Sequence, residues 1–320
     1  MGVFEKLIGH VIHLEFDTHE SMIEAALCWQ LEEYQLDSGS FRGSINAVHT
    51  LHIQIGNTFR SNGVFVKGKT PKNSYLFASV MSPQGKMTHN GLSILEDELV
   101  VLKDTDQLDF TVSSSVDDIT IAIDKVFFDH AFKNYFNKAF EYDTINKRIQ
   151  LKEDTGKIFR DSVKEIIADL MGQNAKLLND PDFHERTEQR ILQILFDNID
   201  LSRERNNTLQ SEMDADTIRK YIEKNYKNDI CINELCSSKK LSDRTLRSGF
   251  KNLFGLSPKQ YHNSYRMGKV HHALLQSDNS LDTVEGIAYE HGFTHMGHFS
   301  ANYKSMFKNT PLFTLKNISF

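Results

Sequence analysis

The hydrophobic period of this chain changes once, near residue 125, and that change limits what it can fold into. Before it, apolar and polar residues alternate. In Ile45-Asn46-Ala47-Val48-His49-Thr50-Leu51-His52-Ile53-Gln54-Ile55 the odd positions are mostly apolar and the even ones mostly polar. Leu108-Asp109-Phe110-Thr111-Val112 and Ile119-Thr120-Ile121-Ala122-Ile123 repeat the pattern. A period of two is what a strand with one buried face writes into a sequence. Turn signals at Asp37-Ser38-Gly39, Ser61-Asn62-Gly63 and His89-Asn90-Gly91 divide the region into several short strands, as in a small barrel or sandwich. Residues 20–33 read as either a short helix or a first strand. After the change, Phe128, Phe132, Tyr135 and Phe136 fall three or four apart. So do Ile158, Phe159, Val163, Ile166, Ile167, Leu170 and Met171, then Ile191, Leu192, Ile194, Leu195 and Ile199. These are three helices, each with one apolar face.

At 320 residues the chain has room for two cores. The polar run from Ser202 lacks an apolar period, so the reading divides the chain into residues 1–201, a linker at 202–212, and residues 213–320. The first part carries strands to about 125 and helices over 127–201. The fold class is therefore α+β, with an all-α C-terminal domain. The net charge of −6 averages two unlike parts. From Met213 onward there are 15 Lys and Arg against 10 Asp and Glu, while the rest holds 22 against 33. A basic module on an acidic partner raises the question of nucleic acid. Three cysteines, Cys28, Cys231 and Cys236, make an odd count without paired spacing, which points to reduced thiols in a cytoplasm. Cys231 and Cys236 are expected in a core. No run of about 18 apolar residues is present to span a bilayer, and the N-terminus does not read as a secretory signal.

The last hundred residues contain two related halves. The first is Ile232-Asn-Glu-Leu-Cys236, then Leu241-Ser242-Asp-Arg-Thr-Leu246-Arg247-Ser-Gly-Phe250-Lys251, then Gly255-Leu-Ser257-Pro258. The second is Val284-Glu-Gly-Ile287-Ala288, then Gly292-Phe293-Thr-His-Met-Gly-His298-Phe299-Ser300, then Tyr303-Lys304 and Thr310-Pro311. Each reads as a short helix, a tight turn and a longer helix, so two helix-turn-helix units are expected, at about 232–255 and 283–308. Gly292 serves a turn that needs positive φ, and Ser242 serves as an N-cap. Leu246 with Phe250, and Phe299 with Tyr303, are spaced to face a core. Arg244, Arg247 and Ser248 then point outward.

These residues resemble the AraC/XylS family of bacterial transcription regulators. The segments Ile287-Ala-x-x-x-Gly-Phe293, Phe299-Ser300-x-x-Tyr-Lys304, Phe250-Lys251-x-x-x-Gly255-x-Ser-Pro258, and Tyr261 with Arg266 stand in the family's order, over roughly Thr217 to Leu315. The resemblance implies two units joined by a central helix over about 258–276, entering successive major-groove segments on one face of promoter DNA. It places Arg244, Arg247 and Ser248 of the first unit, and Met296, Gly297, His298 and Ala301 of the second, at base-contacting positions. Met296, Gly297 and Ala301 cannot make bidentate base contacts. The first unit is therefore expected to read most of the sequence. Ser242, Lys251, His295 and Lys304 are expected to meet phosphates. Where Lys308 stands, the family usually has glycine.

The resemblance also implies an N-terminal cupin-like barrel that senses a small-molecule effector or forms a homodimer, and, for an activator, contact with RNA polymerase. Gln35-Leu36-Asp37-x-Gly39-x-Phe41-x-Gly43 is similar to the first domain of ethanolamine-operon regulators of this family. That likeness concerns fold subtype and names no ligand. His49 falls on the apolar face and reads as either a core histidine or a pocket-lining one. With His52 assigned to the opposite face, no metal site is expected, and no cofactor. Adjacent His271 and His272 read as helix surface. Arg186 and Arg190 share a helical face, as a clamp for an anion or nucleotide phosphate or, with Glu185 and Glu188 nearby, a solvated face with ion pairs. The competing class is an enzyme or repair protein with a fused DNA-binding module. It would need a nucleophilic cysteine, and Cys28 sits in Leu-Cys-Trp instead. The sequence shows no phosphate-binding loop or hydrolase elbow.

Overall fold

A computed structural model describes residues 8–316, apart from residues 27, 83–84, 174–179, 204–209, 232–235, 237–241 and 278–281. Most of the linker stretch, and the first helix of the first unit except Cys236, therefore lie outside the described residues. The chain is mixed α and β, with strands in the N-terminal part and helices toward the C-terminus.

The strands form two sheets. The longer one runs β1 (Val11–Phe16), β3 (Gly43–His49), β4 (Ile53–Arg60), β11 (Val116–Asp124), β6 (Ser74–Met81), β9 (Glu98–Lys103), β12 (Arg148–Leu151) and β13 (Ile199–Asp200). The shorter one runs β2 (Gln30–Gln35), β5 (Val64–Lys69), β10 (Leu108–Val112), β7 (Met87–His89) and β8 (Leu92–Ser93). Among the described residues no ladder joins them, so the expected barrel is not closed. The reason lies in the long sheet, which is apolar on both faces. Phe77, Leu99, Val101, Ile119, Ile121 and Ile123 face helices, whereas Leu76, Ala78, Val100, Leu102 and Ala122 face the short sheet. Strand alternation delivers the two sets, and three layers result.

The helical layer is α2 (Lys125–Phe136), α3 (Gly156–Met171) and α4 (Pro181–Asn198). Asp124 caps α2 by accepting from the Phe127 amide, and Asn137, in the left-handed region, ends it. Phe128 and Phe132 are buried with Phe159, Val163, Ile191, Leu195 and Phe196 against the sheet. The region read as wholly helical also contributes two strands, β12 and β13, and Ile199 belongs to β13 rather than to α4. Glu188 is buried, not part of a solvated ion-paired face. It accepts from the Thr50 hydroxyl (2.6 Å) and the His52 amide (2.6 Å), and pairs with His52 Nδ1 (2.9 Å). Arg186 is exposed, and Arg190 reaches Asp169 at 2.9 Å.

Residues 45–55 are not one strand. A turn at 50–52 makes them a hairpin in which His49 pairs with Gln54. The turn exchanges parity, so Ile45 and Ala47 face the short sheet while Ile53 and Ile55 face the helices. His52 lies in the turn. The ambiguous 20–33 stretch is both elements in succession, α1 (His19–Glu24) and then β2.

The C-terminal helices are α5 (Gln210–Lys224), α6 (Asp243–Phe254), α7 (Pro258–Gln276), α8 (Val284–Glu290), α9 (Met296–Phe307) and α10 (Pro311–Lys316). They make two clusters. Ile218, Ile222, Cys236, Leu246, Phe250, Phe254 and Tyr261 form one, which also takes in Tyr34 and Leu36, at the end of β2, and Phe65 of β5. Val270, Leu274, Ile287, Ala288, Phe299 and Tyr303 form the other. Cys231 is exposed, contrary to expectation, while Cys236 is buried.

Polar contacts tie the two parts together. Arg219 of α5 has no exposed surface and bonds Asp109 of β10 at 2.8 Å. It also bonds Asp216 (2.7 Å) and Glu223 (2.8 Å) of its own helix, and Lys67 of β5 meets Glu223 at 2.5 Å. His271 and His272 are part of this seam rather than free helix surface. His271 Nε2 stands 3.0 Å from Glu20, and His272 Nε2 donates to the Glu33 carbonyl. Burial opposes ionisation of Glu20, yet the hydrogen bond and charge of His271 hold its carboxyl down at about 2.

The hydrogen bond from His52 to Glu188, with the carboxylate's charge, raises the imidazole above its ordinary range. A raised histidine stabilises the fold fully below its unfolded value of about 6.5, and that contribution is lost as pH rises through the folded value. The melting temperature of the wild type should therefore exceed that of His52→Gln by more at pH 5.5 than at pH 8.5. An equal gap at both pH values would contradict this pairing.

Candidate nucleic-acid interface

Ser242 begins α6 by accepting from the Thr245 amide at 3.0 Å, and Gly255, at φ 69°, ends it. Leu246, Phe250, Leu253 and Phe254 are buried along one stripe. The opposite side is exposed and carries Arg244, Arg247, Ser248 and Lys251. Arg247 Nε donates to both oxygens of Asp243, at 2.9 and 2.7 Å, one turn earlier. That pair is solvent-exposed and lies on the helix surface, so it orients the guanidinium without burying it.

Ser257 and Gln260 make a reciprocal capping box at the start of α7, with Pro258 as its first residue. The 19 residues of this helix join the two clusters, since Tyr261 and Tyr265 pack in the first and Val270 and Leu274 in the second. Arg266 stitches them. Its Nη1 donates to the Gly292 carbonyl at 3.0 Å, and its guanidinium lies 4.5 Å from the centre of the Phe293 ring.

Helix α8, a turn and helix α9 follow. Thr283 caps α8 through the Gly286 amide. Gly292 holds φ 86°, and a methyl there would overlap the carbonyl of Lys227. The turn residue is thus glycine for two reasons, conformation and space. In α9, Phe299, Tyr303 and Met306 are buried, while Gly297, His298, Ser300, Ala301 and Lys304 are exposed, with His295 at the N-cap. Met296 is half-buried against the second cluster, which draws its side chain toward the core. Lys308 ends α9 at φ 64°, the left-handed conformation that a glycine adopts more readily.

The outer faces of α6 and α9 share a floor. Lys259, Asn263 and Arg266 of α7 line one depression with Arg247, and another with His295, His298 and Asn302. Sequence reasoning missed this strip, although exposed Lys259 and Asn263 stand one helical turn apart and could have signalled it.

A second feature lies between the sheets. A cavity of about 120 Å³ is walled by Ile45, Ala47 and Ala78 of the long sheet and Val64, Val66 and Phe110 of the short one. Trp29 Nε1 donates to Gln54 Oε1 (3.0 Å) at its wall. Arg60 also lines it, held by Glu33 (2.9 Å) and Asp118 (2.9 Å). His49 is fully buried behind Gln54, 3.2 Å from its Nε2, and does not itself line the cavity. Burial, then the nearby His10, lowers His49 to about 4, so the imidazole is neutral at physiological pH. Among the described residues no three His, Cys, Asp or Glu side chains converge on a metal position, and no helix is long and apolar enough to cross a membrane.

Residues 235–317 match a family model described as a helix-turn-helix domain. Over 220 residues the chain is 24% identical to the XylDLEGF operon transcriptional activator 1 of Pseudomonas putida, covering 68% of this chain and 67% of the activator. Over 91 residues it is 35% identical to the HTH-type transcriptional activator RhaS of Klebsiella pneumoniae, covering 28% of this chain and 32% of that one. Among solved structures, a probable AraC family transcriptional regulator from Rhodopseudomonas palustris aligns at 30% identity. It covers 33% of this chain and 97% of the other, with a TM-score of 0.31.

Replacing Gly292 with alanine forces a side chain into the left-handed region and against backbone. We expect Gly292→Ala to cost more than about 1–2 kcal/mol, read as a lower midpoint in chemical denaturation. An unchanged midpoint would show that the turn is not built as described.

Proposed function

We propose that this chain, similar in its C-terminal part to transcription regulators of the AraC/XylS family, activates transcription by binding promoter DNA through two helix-turn-helix units. The observation that carries the reading is the pair of exposed polar faces, on α6 and α9, held by one continuous helix and two apolar cores. A rigid spacer fixes the distance between recognition helices, which is what successive major-groove segments about 34 Å apart demand. The first unit, with Arg244, Arg247 and Ser248, reads bases, and the second, with His295, His298 and Lys304, mainly positions the duplex. Ser242 and Lys251 flank the first face as phosphate contacts. The proposed boundaries are residues 1–201 for sensing or dimerisation, 202–212 for the linker and 213–320 for DNA. As an activator in a bacterial cytoplasm it would contact RNA polymerase.

We read the two facing sheets as an opened cupin-like sandwich whose cavity takes an effector. Its walls are apolar, with polar groups at Gln54 and at Arg60 with Asp118, so the class is a small, mostly apolar molecule bearing one hydrogen-bonding group. Strand β5 gives such a ligand a direct route to the DNA-binding half. Val64 and Val66 face the cavity, while Phe65 between them packs under Arg219 and against Tyr261 and Tyr265. A ligand that binds one setting of this wall better than another shifts the balance between the two.

The test is binding of the full chain to a duplex it selects from a random pool and to a scrambled duplex of equal length. The wild type should prefer the selected duplex strongly at physiological salt. Arg247→Ala should lose about 1–3 kcal/mol on the selected duplex and much less on the scrambled one. Equal losses would demote Arg247 to a phosphate contact, and no preference in the wild type would remove the proposed function.

A further inference from the structure

From the groove between α6 and α9 we infer that the first turns of α7 form a third DNA contact, a phosphate-binding strip that grips the backbone between the two half-sites. The inference rests on the DNA-binding reading above and adds residues that this reading does not use.

The two depressions beside the recognition faces share four residues, Asp229, Lys259, Asn263 and Arg266. One depression reaches Arg247 of α6, and the other reaches His295, His298 and Asn302 of α9. A duplex entered by both helices must carry its intervening backbone across whatever lies between them. Here that surface is the exposed stripe of Lys259 and Asn263, one turn apart on α7. An ammonium and an amide at that spacing are donors to phosphate oxygens.

Arg266 adds positive charge from beneath the strip, held in place by the Gly292 carbonyl. His262 borders the depression beside Arg247 but is buried and already engaged, with Nε2 on the Tyr226 carbonyl and its pKa lowered by burial. Two acids border the groove. Asp229 is fully exposed, with an oxygen 3.7 Å from Arg266 Nη1, and Asp37 lies at the far rim, accepting from Asn62 Nδ2 at 3.0 Å. Asp229 is close enough to oppose the strip's charge, which gives the strip a test with opposite signs.

The experiment measures binding of full-length variants to the selected and scrambled duplexes across a salt series. Each phosphate contact contributes about 0.9 to the slope of log affinity against log salt. Lys259→Gln should lower that slope by about one and weaken binding about fivefold at 0.15 M salt, by the same factor on both duplexes. Asn263→Ala should weaken both equally with little change in slope, and Asp229→Asn should strengthen both. All three residues are exposed, so circular dichroism should show unchanged folding. Wild-type binding by all three variants, with Arg247→Ala still losing its preference, would overturn the strip and leave the DNA-binding reading intact. A loss confined to the selected duplex would also overturn it, by making these base contacts. If the wild type binds neither duplex, both ideas fall.

Discussion

The join between the two halves of this molecule is built around a cation with no exposed surface. Arg219 sits 5.2 Å from the centre of the Phe65 ring, bonded to Asp109 on one side of the seam and to Asp216 and Glu223 on the other. Removing a guanidinium from water costs several kcal/mol unless its charge and donors are met, and a fork of five donors matches carboxylates well. Burial opposes the charge on Arg219, yet the surrounding Tyr261, Asp109, Glu223 and Asp216 raise its pKa well above the ordinary value. The arrangement is complete only when α5 lies on β5 and β10. Pulling the halves apart strips the cation of Asp109 and of its aromatic cover together. The seam therefore depends on contacts from both halves at once, the kind of element that a bound ligand can bias.

The same seam explains why one sheet serves two purposes. The short sheet is a single layer with the cavity on one face and the helical half on the other. Its inward residues Leu31, Val64, Val66 and Phe110 line the cavity, and its outward residues Tyr34 and Phe65 join the core of the first C-terminal cluster. Among the described residues no helix or loop intervenes. In the function proposed above, the influence of a bound effector has one residue of thickness to cross. The buried Glu33 adds to this wall, because it holds both His19 of α1 (2.5 Å) and Arg60 of β4 (2.9 Å).

How much of this was legible in the sequence depends on the range of the interactions. Helices α2, α3 and α4 were readable from period alone, because each buries a stripe against one neighbour. So were α6, with its Ser242 cap, and α9, with the Gly292 turn before it, since those signals are local. The hairpin inside 45–55 was not, because its turn residues Thr50-Leu51-His52 carry no glycine or proline, and alternation continues through a parity change. The open sandwich was hidden for a related reason: a sheet covered on both faces writes apolar runs that do not say which face meets which layer. Buried or seam residues such as Glu188, His271 and His272 read as ordinary helix surface, and Arg219 carried no signal at all. Their partners lie as many as 239 residues away, and only the tertiary arrangement brings them together. At the candidate DNA interface, sequence gave the outward residues of α6 and α9 but passed over Lys259 and Asn263. A recognition helix has a pattern, whereas the floor between two of them has only a position.

In the function proposed above, α6 and α9 on one rigid spacer engage neighbouring major-groove segments of the same duplex face. Hydroxyl-radical footprinting of the full chain on the duplex it selects tests this most directly. The account predicts protected backbone patches repeating about every 10 base pairs on one face of the helix. A single short patch, or protection shared equally by both faces, would contradict it.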